Sequence, residues 1–208
     1  MLTTLLSRAI GVLLLGLISN AHANGSMHYV PNDIHCPKDS QVGFVHNSYI
    51  YNAPLHQFTN ITKSFFDIKW YGDIPATNFT GTNNVPGATR SGVVPVGDNP
   101  NNAFNDTLTM YSMHHDSLEY TYRGQPVKFV LPNQRPAHYY SYAETMRFQS
   151  ICDGEASYID LLSYLCADDQ IAAYNLWYML HMSTFEGLAA SLGATVLAGD
   201  CPQKARRR

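Results

Sequence analysis

Residues 168–193 read DDQIAAYNLWYMLHMSTFEGLAASLG, from Asp168 to Gly193, with no Asp, Glu, Lys or Arg between Asp169 and Glu186. Apolar or aromatic residues fall at Ile171, Tyr174, Tyr178, Phe185, Leu188 and Leu192, at steps of three and four, which is helical spacing. A second row, Ala173, Trp177 and Leu180, widens the stripe beyond what a helix exposed on one side needs. A helix of this length spans about 35 Å at ~1.5 Å per residue, enough to cross a small domain. Asp168 and Asp169 suit its electropositive start, and Gly193 is a fitting C-cap. Gln170, Asn175, His181, Ser183, Thr184 and Glu186 interrupt the apolar run and argue against a membrane span. The stretch therefore predicts a long, mostly buried helix that closes the fold, buried by what precedes it.

The beginning of the chain has a different character. A short basic start, Met1 to Arg8, leads into the apolar run Ala9 to Ile18, and Ala21-His22-Ala23 is a small-x-small cleavage pattern. The apolar run is short for a membrane anchor, so residues 1–23 are expected to be a secretory signal peptide. The mature chain, Asn24 to Arg208, has the size of one domain with a core of its own. Residues 24–42 read as an extended arm, 43–200 as the folded domain and 201–208 as a basic tail. Four cysteines remain, Cys36, Cys152, Cys166 and Cys201; an even count in a secreted chain predicts two disulfides. Three pairings are possible, and Cys36–Cys201 with Cys152–Cys166 is the favoured one, a tie between the ends and a local loop. No Cys-x-x-Cys pair is present, and no metal site or cofactor is expected. Asn60, Asn78 and Asn105 begin sequons, which implies a glycosylated surface. The chain holds thirteen Lys and Arg against sixteen Asp and Glu, and four of the basic residues sit in Lys204–Arg208. The acidic body excludes a nucleic-acid partner.

Between the ends, a strand is predicted over 43–51 and short helical pieces over 55–63 and 65–71. Strands follow near 76–84, 88–96, 103–113, 117–123, 127–131, 138–150 and 156–165, separated by turn residues such as Pro86-Gly87 and Asp153-Gly154. The order is that of an α+β protein with an antiparallel meander.

Three local pieces carry a family resemblance: Ile50 to Pro54 (IYNAP), Pro86 to Arg90 (PGATR), and Asn105 to Leu108 (NDTL) followed by Leu118 to Tyr122 (LEYTY). With the closing helix, the span 43–194 resembles the START-like superfamily, which includes pollen-allergen-like proteins, lipid-transfer domains and polyketide cyclases. The resemblance implies a curved antiparallel sheet of about seven strands wrapped around a long C-terminal helix, with two short helices after the first strand. It also implies a cavity for an apolar molecule such as a lipid, sterol or polyketide.

Several residues are candidates within that frame. If Asn105 faces solvent, alternation turns Asp106 inward, at the position that matches the family's acid. Asp106 is then either a polar contact of the cavity or the partner of Arg90 on the neighbouring strand. On 138–150 one alternating set holds His138, Tyr140, Tyr142, Glu144, Met146 and Phe148, a mixture suited to orienting an apolar ligand or to an ordinary sheet face. His114 and His115 read as an exposed turn. His181 lies on the helix stripe and is either a cavity group or a hydrogen-bonded core histidine.

The expected cavity lining is Tyr140, Tyr142, Met146, Tyr174, Tyr178 and His181, with Asp106 and Glu144 as polar contacts. No nucleophile motif is present. The leading expectation is a secreted, monomeric carrier of a hydrophobic small molecule, without stable membrane insertion. A cyclase or dehydratase using Asp106 and His181 is the enzyme alternative. A third reading is an interaction protein whose own side chains fill the cavity.

Overall fold

Chain order in the computed structural model, which describes residues 34, 36–94, 102–130 and 135–201, is β1 (Gln41–Tyr51), α1 (Leu55–Thr62), β2 (Ala76–Thr80), β3 (Thr89–Val93), β4 (Ala103–Met113), β5 (Ser117–Gly124), β6 (Val127–Phe129), β7 (Ala137–Ile151), β8 (Ala156–Ala167) and α2 (Gln170–Ser191). The strands form one curved, unclosed antiparallel sheet, ordered β1-β8-β7-β5-β4-β3-β2, with β6 beside β7. The fold is α+β, as the sequence predicts. Residues 1–33, which contain the expected signal peptide and most of the arm, and the basic tail after Cys201 lie outside the described residues.

The centre of the sheet explains its own sequence. β8, ASYIDLLSYLCA, lies between β1 and β7 and is buried along almost its whole length, so apolar residues occupy both faces instead of alternating. β4 is nearer the sheet's other edge and keeps the alternation: Phe104, Asp106 and Leu108 are buried while Asn105 is exposed. Asn60 and Asn78 are exposed as well.

α2 begins where the sequence places it. Asp169 caps it by accepting from the Ala172 N–H at 3.0 Å, and Gly193 turns the chain out of it at φ 66°. The expected stripe is buried in part: Ala173, Trp177, His181, Phe185 and Leu188 of it face the sheet. The buried face is Ala173, Leu176, Trp177, His181, Thr184, Phe185, Leu188 and Ala189, whereas Ile171, Tyr174 and Tyr178 are exposed. Both rows have helical spacing, so periodicity could not choose between them. Trp177 and His181 face inward because their polar atoms find a buried partner there; the tyrosines on the other row keep their hydroxyls in water. Among the described residues no helix is long and apolar enough to cross a membrane.

Only one of the two short helices forms. Over 65–71 the backbone donors of Phe65 and Phe66 go to the side chains of Asn84 and Asn83, at 2.8 and 3.0 Å, which replaces helical bonding with a pinned loop. The strand expected over 76–84 stops at Thr80, ahead of Gly81 at φ 77°. The strand expected over 88–96 is Thr89–Val93, its last two residues lying outside the described set.

The disulfides join the cysteines in another pairing, Cys36–Cys166 and Cys152–Cys201. Cys152 stands at the turn between β7 and β8 and Cys166 near the far end of β8, so the hairpin holds them apart. Cys166 pairs with Val42 at the start of β1, close in sequence to Cys36. At the other end, the segment after α2 bonds back to β1 through Asn52 N–H to Thr195 O (2.8 Å) and Leu197 N–H to Ile50 O (2.9 Å), which carries Cys201 to the β7–β8 turn. Cys152–Cys201 closes a sequence separation of 49; a loop of that size corresponds to about 4 kcal/mol in the chain-entropy picture. Peptide mapping of the oxidised protein is expected to recover these two pairs. The Cys152→Ser/Cys201→Ser double variant is expected to unfold at lower denaturant, by up to that amount.

Candidate functional site

Two buried carboxylates, one on β4 and one on β7, lie on the face of the sheet covered by α2. The first is Asp106 on β4. Arg90 of β3, its directly paired neighbour, donates from Nε to Oδ2 at 3.0 Å, and the Tyr142 hydroxyl of β7 donates to Oδ1 at 2.6 Å. Arg90 also donates from Nη1 to the Phe65 carbonyl at 2.9 Å. It lies over the Phe65 and Tyr122 rings at 4.4 and 4.7 Å, so its charge is held by a carboxylate, a carbonyl and two π faces. Burial pushes the Asp106 carboxyl upward; Arg90 and the Tyr142 hydroxyl oppose this, and the balance stays above its ordinary value. Gly124 makes the geometry possible: it pairs with Tyr142, and a Cβ there would overlap the tyrosine ring.

The second carboxylate, Glu144 on β7, is fully buried and has four side-chain donors. Oε1 accepts from the Tyr122 hydroxyl at 2.5 Å. Oε2 accepts from Ser163 Oγ at 2.9 Å, from Trp177 Nε1 at 3.0 Å and from His181 Nε2 at 2.7 Å. The other ring nitrogen of His181 is 3.0 Å from Asn47 Oδ1 on β1. Both ring nitrogens of His181 are therefore engaged, and Glu144–His181 is a fully buried carboxylate–imidazole contact. Burial by itself would raise the Glu144 carboxyl. His181 and the hydrogen bonds from His181, Tyr122 and Ser163 outweigh it and hold the group below its ordinary value.

Beside Asp106 lies a cavity of about 40 Å³, walled by Ile68, Tyr71, Ile74, Val94, Phe104, Asp106, Tyr122, Phe129, Tyr142, Trp177 and Leu180. Its surface is almost wholly apolar apart from Asp106 and the tyrosines. At that volume it accommodates a few atoms, well below the roughly 300–1,000 Å³ of drug-sized ligand sites.

The expected site residues divide accordingly. Asp106 and Tyr142 meet at the cavity. Glu144 and His181 meet each other, behind Trp177, and do not line it. Met146 is core and accepts from the Tyr120 hydroxyl at 3.0 Å. Tyr140 is displaced by an irregularity in the β7–β8 pairing between Tyr139 and Ser141, which turns Tyr139 inward, its hydroxyl donating to the Ala173 carbonyl at 2.9 Å. Tyr140 instead packs on His138, with ring centroids 4.3 Å apart. Tyr174 and Tyr178 stack on each other at 5.9 Å on the outer side of α2. His114 and His115 are exposed, as expected of a turn. Asn47, Ser163, Tyr122 and Tyr71 were not legible as site residues. Asn47 and Ser163 carried a usable signal, each being a polar residue on the inward-facing set of an otherwise apolar strand, where a buried partner is required.

The site thus belongs to an α+β protein with one long helix laid on an open antiparallel sheet. No family model matches this chain, and no curated protein does. Among solved structures it is similar to an uncharacterized protein from Bacillus thuringiensis (16% identity, 72% of this chain and 98% of the other, TM-score 0.55). It is similar to the protein XoxI from Bacillus cereus to the same degree, over 94% of that chain. A protein from Nitrosospira multiformis follows at 19% identity, 72% and 95% coverage and TM-score 0.51. At these identities the likeness is one of fold.

Replacing Glu144 by Gln takes the buried carboxylate away from its four donors and is expected to cost about 3–5 kcal/mol in denaturant unfolding. Because the Glu144 pKa is lowered on folding, its contribution is complete above the ordinary glutamate range and lost as pH falls through the lower folded value. Stability measured against pH in the acid range should show this loss in the natural protein and a flatter profile in Glu144→Gln.

Proposed function

We propose that this chain is a secreted, START-like binding protein that holds a small, mainly apolar molecule between the sheet and α2, its polar end against Asp106 and Tyr142. The observation that carries the reading is the composition of the cavity: an aromatic and aliphatic lining with one carboxylate–phenol pair at its side. Such a site gains from burying apolar surface, at about 25 cal/mol per Å², and orients the guest by its few polar atoms. The cavity's size directs the search to guests of a few heavy atoms, such as small phenols or short-chain acids. A sterol or polyketide would require the 65–75 loop and α2 to part.

Binding is favoured over the cyclase or dehydratase alternative by the hydrogen bonding. Asp106 is committed to Arg90 and Tyr142, and His181 to Glu144 and Asn47, so neither stands as a free acid or base facing the cavity. Secretion is supported by the leader-like residues 1–23 and the two disulfides, and glycosylation by the exposure of Asn60, Asn78 and Asn105.

Trp177 lines the cavity and reports on it. Titration with a graded series of phenols and short fatty acids is expected to change tryptophan emission saturably, and the filling substitution Ile74→Phe to weaken this at least tenfold while the protein stays folded. Solvent extraction of the purified protein that yields no small molecule, together with no saturable response across the series, would remove the binding reading.

A further inference from the structure

The two edges of the sheet are built differently. β2 is five residues long, its pairing with β3 is irregular between Ala76 and Asn78, and exposed Asn78 begins a sequon. These features discourage another strand from adding there. β1 has none of them. It runs for eleven residues, QVGFVHNSYIY, in unbroken register with β8, without Pro, Lys, Arg, Asp or Glu.

The direction of its free hydrogen-bonding groups follows from the contacts at its end. Ile50 O and Asn52 N–H bond to residues 195–197, away from β8, and the unbroken register gives Val42, Phe44, His46 and Ser48 the same orientation. Among the described residues no backbone group pairs with these four on that side. Their side chains share the outer face and all are exposed, Val42 at 66% and Phe44 at 46%. Phe44 packs on Tyr164 with centroids at 5.0 Å, and His46 is anchored to Asp160 at 2.5 Å, so the row is ordered before anything docks.

We propose that β1 of a second copy adds antiparallel to this edge, joining two sheets across a two-fold axis. The chain's own residues 195–197 already extend the sheet past β1 and close the edge from Ile50 onward, leaving Val42–Ser48 for the partner. A two-fold centred on Val45 uses that segment completely. It sets Phe44 opposite the second copy's His46 and Val42 opposite its Ser48, and brings no like charges together. The uncharged strand matches itself, whereas a strongly charged partner segment would find no complementary residue along it.

Sedimentation equilibrium and amide hydrogen exchange on the mature, glycosylated protein test this. A dimer is expected, with slow exchange at Phe44, His46 and Ser48. Phe44→Lys puts a charge into the junction, and Ser48→Pro removes an outward N–H without touching a bond to β8; both should give folded monomers with fast exchange at the remaining edge amides. Phe79→Lys, on the opposite edge, should leave the dimer intact. A dimer that survives both β1 substitutions overturns the proposal. So does a monomeric natural protein: slow exchange at the three amides would then show the edge filled from within the chain, and fast exchange would show an edge kept for a different partner.

Discussion

One carboxylate ties the molecule together. Glu144 sits on β7, and its two oxygens accept from Tyr122 on β5, Ser163 on β8, and Trp177 and His181 on α2; His181 extends the chain to Asn47 on β1. Four strands and the closing helix thus share one buried charge. An ionised group in that position is tolerable only with its donors in place, since an unpaired buried charge costs several kcal/mol. The rotation of α2 answers that demand: Trp177 lies to one side of the Tyr174–Tyr178 row, and turning the helix to bury those tyrosines would carry Trp177 Nε1 away from Glu144. The apolar face formed by Leu176, Phe185 and Leu188 supplies most of the burial, and the carboxylate selects which face is used.

Asp106 and Arg90 perform a similar task on the other half of the sheet, where Arg90 also holds the Phe65 carbonyl and so fixes the loop that walls the cavity. Between these two polar clusters the space left by Trp177, Phe104, Phe129 and the surrounding aliphatics is small. Each acid and base that frames this space is already engaged by a hydrogen-bonding partner. Under the proposed binding role, capture would mean filling a pre-formed gap, and pre-formed gaps favour small, rigid guests by sparing the cost of reorganisation.

Much of this architecture was legible beforehand. The strands from 103 to 165 announced themselves by alternation and turn residues, the closing helix by its uncharged run, and the inward aim of Asp106 by the sequon beside it. Glu144 and Tyr142 were also visible, since regular alternation holds through that part of β7. Tyr140 was misplaced because a local irregularity in pairing reverses the side-chain phase and leaves no composition signal. The 65–71 loop reads as an amphipathic helix, and only the amides of Asn83 and Asn84, nearly twenty residues on, divert its backbone donors.

The sequence by itself determined the element order, the α+β class, the ends of α2 and the even set of cysteines, because each rests on residues close together in the chain. Tertiary structure alone decided which cysteines pair, which face of α2 is buried and which acid meets which base. Those outcomes depend on what lies opposite across the sheet, as when β8 carries Cys166 to the start of β1 and away from Cys152. A local pattern sets the period of a helix or strand, but its phase is fixed only when buried polar groups such as Glu144 and His181 find each other, and they are 37 residues apart in the chain.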